Sequence, residues 1–190
     1  MKKISVKTLE KKLGYKIPRN IFVLGVDTAS TSGIAKVTID DKYAYINTEI
    51  MKIPTIPRDT EDKAEKYEEC LDMLLIMIRD FRKTLEVKDK TTLLVLENSF
   101  MSLNAYTFGF LKVCGGILYS ELHDNFENIK IIFPSSARKL AGFKSLLPKG
   151  TKSKDKKKEI MTWVGNIIEE EITDDNAADA LMLCFAGLKI

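Results

Sequence analysis

Two short stretches of this chain are so uniformly apolar that they leave no room for a solvated face. Ile21 to Val26 reads IFVLGV and stops on Asp27, and Leu93 to Leu96 reads LLVL and stops on Glu97. Apolar runs of this length, rich in branched residues and bounded by turn-forming segments, read as strands buried on both faces. Such strands need helices above and below them, so the chain must build a sheet between two helical layers. Hydrophobic residues make up 45% of the sequence, which is enough for that core. A length of 190 residues suits one domain of this kind with a short appendage.

The appendage is residues 1–20, which carry seven Lys or Arg and one acid, Glu10. Ser5 can cap a short helix bearing Val6, Leu9 and Leu13, and Gly14 would end it. Pro18 and Asn20 separate this basic arm from a domain over residues 21–190. After the first strand, hairpins lead through strands at Ile34–Ile39 and Tyr43–Ile53. A long amphipathic helix spans Thr60 to Thr84, with Leu71, Leu74, Leu75, Ile78 and Phe81 on its apolar face. The Leu93–Glu97 strand is followed by a largely helical stretch, Asn98 to Asp124. A fifth strand, Ile129–Phe133, is stopped by Pro134. A short helix at Ser135–Leu140, a lysine-rich helix from Lys154 to Ile168 and a last helix from Asp174 to Lys189 complete the chain. Hairpins followed by alternating strand and helix give a five-stranded mixed sheet flanked by helices. Numbered along the chain, its strand order is expected to be 3-2-1-4-5. This order resembles that of the ribonuclease H-like fold.

Several functions are excluded on composition. No apolar run approaches 18 residues, and none follows Met1-Lys2-Lys3, so neither a membrane span nor a secretory signal is expected. Cys70, Cys114 and Cys184 lie far apart with no CxxC spacing, which argues against a disulfide framework or a zinc site and fits a reducing compartment. His123 is the single histidine, so catalysis must rest on carboxylates, lysines or hydroxyls. The net charge of +3 names no partner, but its distribution does. Lys130 to Lys158 holds ten Lys or Arg against one acid, Asp155. Such a run reads either as a solvated helix face or as a cradle for nucleic-acid phosphates.

Asp27 and Glu97 stand at the ends of apolar strands. If those strands are parallel neighbours, both carboxylates project from one carboxyl edge, about 4.8 Å apart in backbone, where open α/β sheets place their ligands. Two facing carboxylates need a counter-charge, and hard oxygen ligands select Mg²⁺ or Mn²⁺. Each acid alone also reads as a turn residue or a helix cap. A third acid tips the balance. Asp179 is embedded in NAADALMLC, where an unpaired charge is costly. Asp175 and Asn176 lie four and three residues earlier and can share its helix face.

On these residues the sequence resembles the RuvC-type Holliday junction resolvases, from about Ile21 to Leu188. LGVDTASTSGIAKV resembles the family's first strand, LLVLENSFMSLNAYTFGFLKVCGGILYSEL its fourth strand and following helix, and NAADALMLC its closing helix. The resemblance implies a homodimeric endonuclease that binds two Mg²⁺ ions per site, with Mn²⁺ able to substitute, and resolves four-way DNA junctions by paired nicks. It puts metal ligands on Asp27, Glu97 and Asp179. The fourth acidic position falls on Asn176, and Asp175 is the alternative ligand. Thr28-Ala29 stands where the family often has Pro-Gly. Phe100 falls where an aromatic stacks on junction bases, and it also reads as a core residue of the helix's first turn. Arg138 or Lys139 fits a basic residue that supports the scissile phosphate. Lys157 fits a second, since Ile160 and Val164 follow it on one helical face, while Lys154 and Lys156 remain open. Lys149 and Lys152, in the preceding loop, would hold flanking phosphates. Gly115 and Gly116 would permit the close helix approach of a two-fold dimer.

Two other readings compete. A related nuclease on the same fold could act on flaps, forks or RNA–DNA hybrids. A nucleotide-binding protein of the actin-like or tRNA-threonylcarbamoylation type would also have a strand resembling VDTASTSGIA. It would not be expected to carry Glu97 and Asp179 in these places.

Overall fold

In the computed structural model, which describes residues 1–28, 31–52, 63–85, 87, 90–98 and 105–189, the two apolar runs are adjacent parallel strands at the centre of one sheet. Along the chain the elements are β1 (Lys2–Ser5), α1 (Val6–Leu13), β2 (Ile21–Asp27), β3 (Thr31–Ile39), β4 (Tyr43–Lys52), α2 (Lys63–Lys83), β5 (Thr91–Glu97), α3 (Ala105–Leu122), β6 (Asn128–Ile132), α4 (Pro134–Ala141), α5 (Ser153–Ile168) and α6 (Asp175–Leu188). The sheet order is β1-β4-β3-β2-β5-β6. The hairpin strands β2, β3 and β4 pair antiparallel, and β2, β5 and β6 pair parallel.

The five expected strands keep their expected order, but the sheet has six. The addition is β1, which runs antiparallel to β4 with Lys2 opposite Ile46 and Ser5 opposite Tyr43. Lys-Lys-Ile-Ser offers one apolar side chain, Ile4, so no alternation marks it as a strand in the sequence. The rest of the basic arm is woven into the same core. Ser5 caps α1 by accepting from the Thr8 amide at 3.1 Å, and Gly14, at φ +77°, ends it. Ile4, Val6, Leu9, Leu13 and Ile17 are all buried. Tyr15 donates its hydroxyl to the Phe185 carbonyl at 2.6 Å. The buried Glu10 carboxylate accepts from the Ile17 amide and from Lys16 and Arg19, which holds it below the ordinary carboxylate range.

Side-chain alternation along the central strands divides the core in two. Phe22, Leu24, Val26, Leu94 and Leu96 face α2 and α3, where they meet Leu74, Ile78, Cys114 and Leu118. Val23, Leu93 and Val95 face the opposite layer of α6, α5, α4 and α1. The innermost helix there is α6. From Ala177 to Leu188 every residue except Asp179 is buried, because α6 lies on the sheet with α4 and α5 packed over it. No helix among the described residues is long and apolar enough to cross a membrane.

Candidate active site

The alternation that sorts the core also aims the acids. Positions 23, 25 and 27 of β2 and 93, 95 and 97 of β5 share the face covered by α6. Val26 is in register with Leu96, so Asp27 and Glu97 emerge side by side one step further on. Their carboxyl groups hydrogen-bond to each other. Thr28 Oγ1 donates to the Glu97 carbonyl at 3.2 Å and ties the two strand ends together.

Two glycines set how closely α6 approaches. A Cβ on Gly33, which pairs with Asp27 across the sheet, would lie 1.9 Å from the backbone oxygen of Asn176. A Cβ on Gly25 would lie 2.4 Å from the backbone oxygen of Ala180. With no side chain at either position, the first turns of α6 sit directly on the strand ends. Asp179 is thereby brought within electrostatic reach of both Asp27 and Glu97. Neither glycine was among the site candidates in the sequence. The available signal was a glycine interrupting an apolar strand, which marks a close backbone approach.

The helix start separates the neighbouring acids by role. Asp174 is the cap: its Oδ1 accepts from the amides of Asn176 at 2.9 Å and Ala177 at 3.0 Å. Asp175 forms an ion pair with Lys157 of α5. Asn176 contributes its backbone to the Gly33 contact and its amide to the cap. Between the adjacent candidates on α4, Arg138 is the one that reaches the acids, with Nη2 at 3.7 Å from Asp179 Oδ1. Lys139 is exposed and lines a groove together with Arg138 and Lys156. Lys149, Lys152 and Lys154 are exposed on the α4–α5 loop and the start of α5. Phe100 lies outside the described residues.

Burial and crowding decide the charge state. Asp27 is only 6% exposed, and burial pushes its carboxyl up to about 9, with the charges of Glu97 and Asp179 adding to the shift. Burial also raises Glu97, to about 7, while the hydrogen bond from Asp27 works the other way. Asp179 is raised by burial against the pull of Arg138 and Lys157. Lys157 is held above its ordinary value, chiefly by its hydrogen bond to Asp175. Burial and the neighbouring acids therefore favour one proton held between Asp27 and Glu97 over two charged carboxylates. Among the described residues no three acids, cysteines or histidines form a ready-made metal cluster. The donors that converge are carboxylate oxygens alone, and their mutual repulsion and burial are what a cation would relieve. That set fits a hard divalent ion such as Mg²⁺ and not a soft or imidazole-seeking one.

No family model and no curated protein matches the chain. Solved structures do match its fold. The Thermus thermophilus RuvC in complex with a Holliday junction substrate aligns over 87% of this chain and 91% of its own, at 13% identity and a TM-score of 0.61. A second Thermus thermophilus RuvC structure aligns over 87% and 92%, at 18% identity and a TM-score of 0.53. The yeast mitochondrial Holliday junction resolvase Ydc2 aligns over 95% and 83%, at 13% identity and a TM-score of 0.55. The chain has the ribonuclease H-like fold that these proteins share.

Proposed function

We propose that this chain, built on the fold of the junction resolvases, is a structure-selective endonuclease that cuts four-way DNA junctions with paired nicks. The observation that carries this reading is the side-by-side placement of Asp27 and Glu97 at the carboxyl edge of the sheet with Asp179 within electrostatic reach, and with Arg138 and Lys157 beside them. Asp27, Glu97 and Asp179 would hold two Mg²⁺ ions, with Asp175 as the fourth carboxylate. When bound, such ions polarise the scissile phosphate and lower the pKa of the attacking water.

The chain's own cations do the positioning. Among the described residues, Arg138 and Lys157 are the cations that pair with the site's acids, so they are suited to the scissile phosphate, where charge grows in the transition state. In the free protein each is engaged with an acid, Arg138 with Asp179 and Lys157 with Asp175. A bound phosphate would compete for both cations, leaving Asp179 and Asp175 as carboxylates able to hold a divalent ion. Lys149, Lys152, Lys154 and Lys156, exposed along the approach, neutralise flanking phosphates and carry no sequence information. Phe100 is the candidate for stacking on a junction base.

A second copy of the chain would supply the second nick. The proposed contact is α3, where a Cβ on Gly115 or Gly116 would meet no atom within 4 Å. Val113 and Tyr119 of the same helix are exposed, as is Ile131 of the sheet-edge strand β6. A two-fold pair across this face would set two sites on opposite arms of one junction. Flaps, forks and RNA–DNA hybrids would engage the same carboxylates, so the choice of substrate separates the readings.

The test pairs cleavage with binding. Asp27→Asn, Glu97→Gln and Asp179→Asn should each lower Mg²⁺-dependent nicking by at least about 10²–10³-fold, while junction binding, which rests on phosphate neutralisation, persists or tightens. Near-normal nicking by the Asp27→Asn protein would overturn the assignment.

A further inference from the structure

The segment joining α4 to α5, residues 142–152, carries a feature that phosphate binding does not use. Leu146 is 92% exposed, more than any other large apolar side chain described. It is held there. The Glu159 carboxylate of α5 accepts from Ser145 Oγ at 2.5 Å and from the Leu146 amide at 2.6 Å. Ser145 Oγ also accepts from the Leu147 amide at 3.2 Å, which fixes the chain on the far side of the tip. Leu146 is thus displayed on a mount pinned to α5.

The surroundings say what it is displayed to. Lys144, Lys149 and Lys152 are exposed along the same segment. At its base is a groove of about 380 Å³ lined by Arg138, Lys139, Lys144, Ser145, Lys156 and Glu159. Arg138 leads directly from this groove to Asp179. An aliphatic side chain left in water gains nothing, and a lysine rim disfavours a neutral apolar partner. A polyanion that hides an apolar, stacked interior suits both the lysines and the leucine, and DNA is such a ligand. Leucine enters a base stack as a wedge where unstacking is cheap, and a base at a branch point, stacked on its own arm alone, is cheap to unstack.

We propose that Leu146 is an apolar wedge that enters the opened base stack at the branch point of the DNA, seated by Glu159 and guided by the flanking lysines. The inference rests on the nuclease reading above and adds an element that selects branched over linear DNA. It also assigns a role to the α4–α5 segment separate from neutralising phosphate.

The experiment uses the full chain and a four-way junction carrying 2-aminopurine at the branch point, in a chelator so that no strand is cut. Linear duplex with the same probe base is the control. Wild-type binding should raise the fluorescence of the junction as the probe base unstacks. Leu146→Ala, a change at a fully exposed position, should remove at least half of that rise. It should also weaken junction binding about tenfold while duplex affinity holds. Leu146→Met should keep both properties. A Leu146→Ala protein that unstacks and binds the junction as the wild type does, or loses junction and duplex binding equally, overturns the wedge. If that result comes with a wild type that prefers the junction, only the wedge is lost. A wild type with no preference for the junction over duplex overturns the junction reading and the wedge together.

Discussion

Replacing Asp27 with asparagine should stabilise the metal-free protein, although it removes the residue placed at the centre of the site. Asp27 is buried beside Glu97 and Asp179, and its carboxyl is raised from 3.8 to about 9. A carboxyl raised in this way contributes stability that is complete below its unfolded pKa and lost as pH rises through its folded one. The wild type should therefore weaken steadily from about pH 4 towards pH 9. At pH 7 the cost does not depend on how far above 7 the folded value lies. It is the free energy of protonating an ordinary aspartate at that pH, about 4 kcal/mol at 1.36 kcal/mol per pH unit. Asparagine escapes this cost, and its amide can donate to Glu97 across the same contact. The variant should gain about 2–4 kcal/mol at pH 7, or roughly 5–15 °C in melting temperature for a chain of this size. Thermal unfolding by circular dichroism, in chelator, across this pH range reads the effect directly. The advantage should shrink to nothing near pH 4, and Mg²⁺ should stabilise the wild type more than the variant. An Asp27→Asn protein no more stable than wild type at pH 7, or an advantage unchanged by acid, would refute this account of the carboxylate pair.

Three further outcomes are expected. Lys157→Ala should lower the single-turnover cleavage rate more than junction affinity, whereas Lys149→Ala should weaken binding and reduce its salt slope by about one; a Lys157→Ala protein that loses only affinity would remove Lys157 from the catalytic site. Asp175→Asn should cut cleavage strongly, because Asp175 both holds Lys157 and offers the fourth carboxylate, while Asn176→Ala should be mild; the reverse ranking in the same assay would make Asn176 the ligand. Gly33→Ala should lift the first turn of α6 off β3, since its Cβ would fall 1.9 Å from a backbone oxygen, and should lower stability by about 1–3 kcal/mol together with activity; a fully stable, active variant in denaturant titration would show that the close contact is dispensable.

The central layer was legible because its signals are local. Each apolar run ends on its acid, so strand and site residue are read from the same six or seven positions. Asp179 was visible as a charge out of place among alanines. What escaped depends on contacts distant in sequence. β1 is strand only because β4, some forty residues on, pairs with it, and its single inward side chain leaves no pattern. Arg138 and Lys139 are adjacent and chemically similar, and only the rotation of α4 against α6 selects Arg138. Asp174 and Asp175 divide into cap and ion-pair partner by one helical step. Leu146 reads in sequence like its neighbour Leu147, and the Glu159 pin that turns it outward lies thirteen residues away.

The most direct measurement is incubation of the protein with a labelled four-way junction, a linear duplex and an RNA–DNA hybrid, each with and without Mg²⁺. Paired, ligatable nicks placed symmetrically in the junction, absent from the other two substrates and dependent on the metal, are the predicted result. Equal cutting of duplex or hybrid, or an intact junction in the presence of Mg²⁺, would contradict the claim that this carboxylate site resolves DNA junctions.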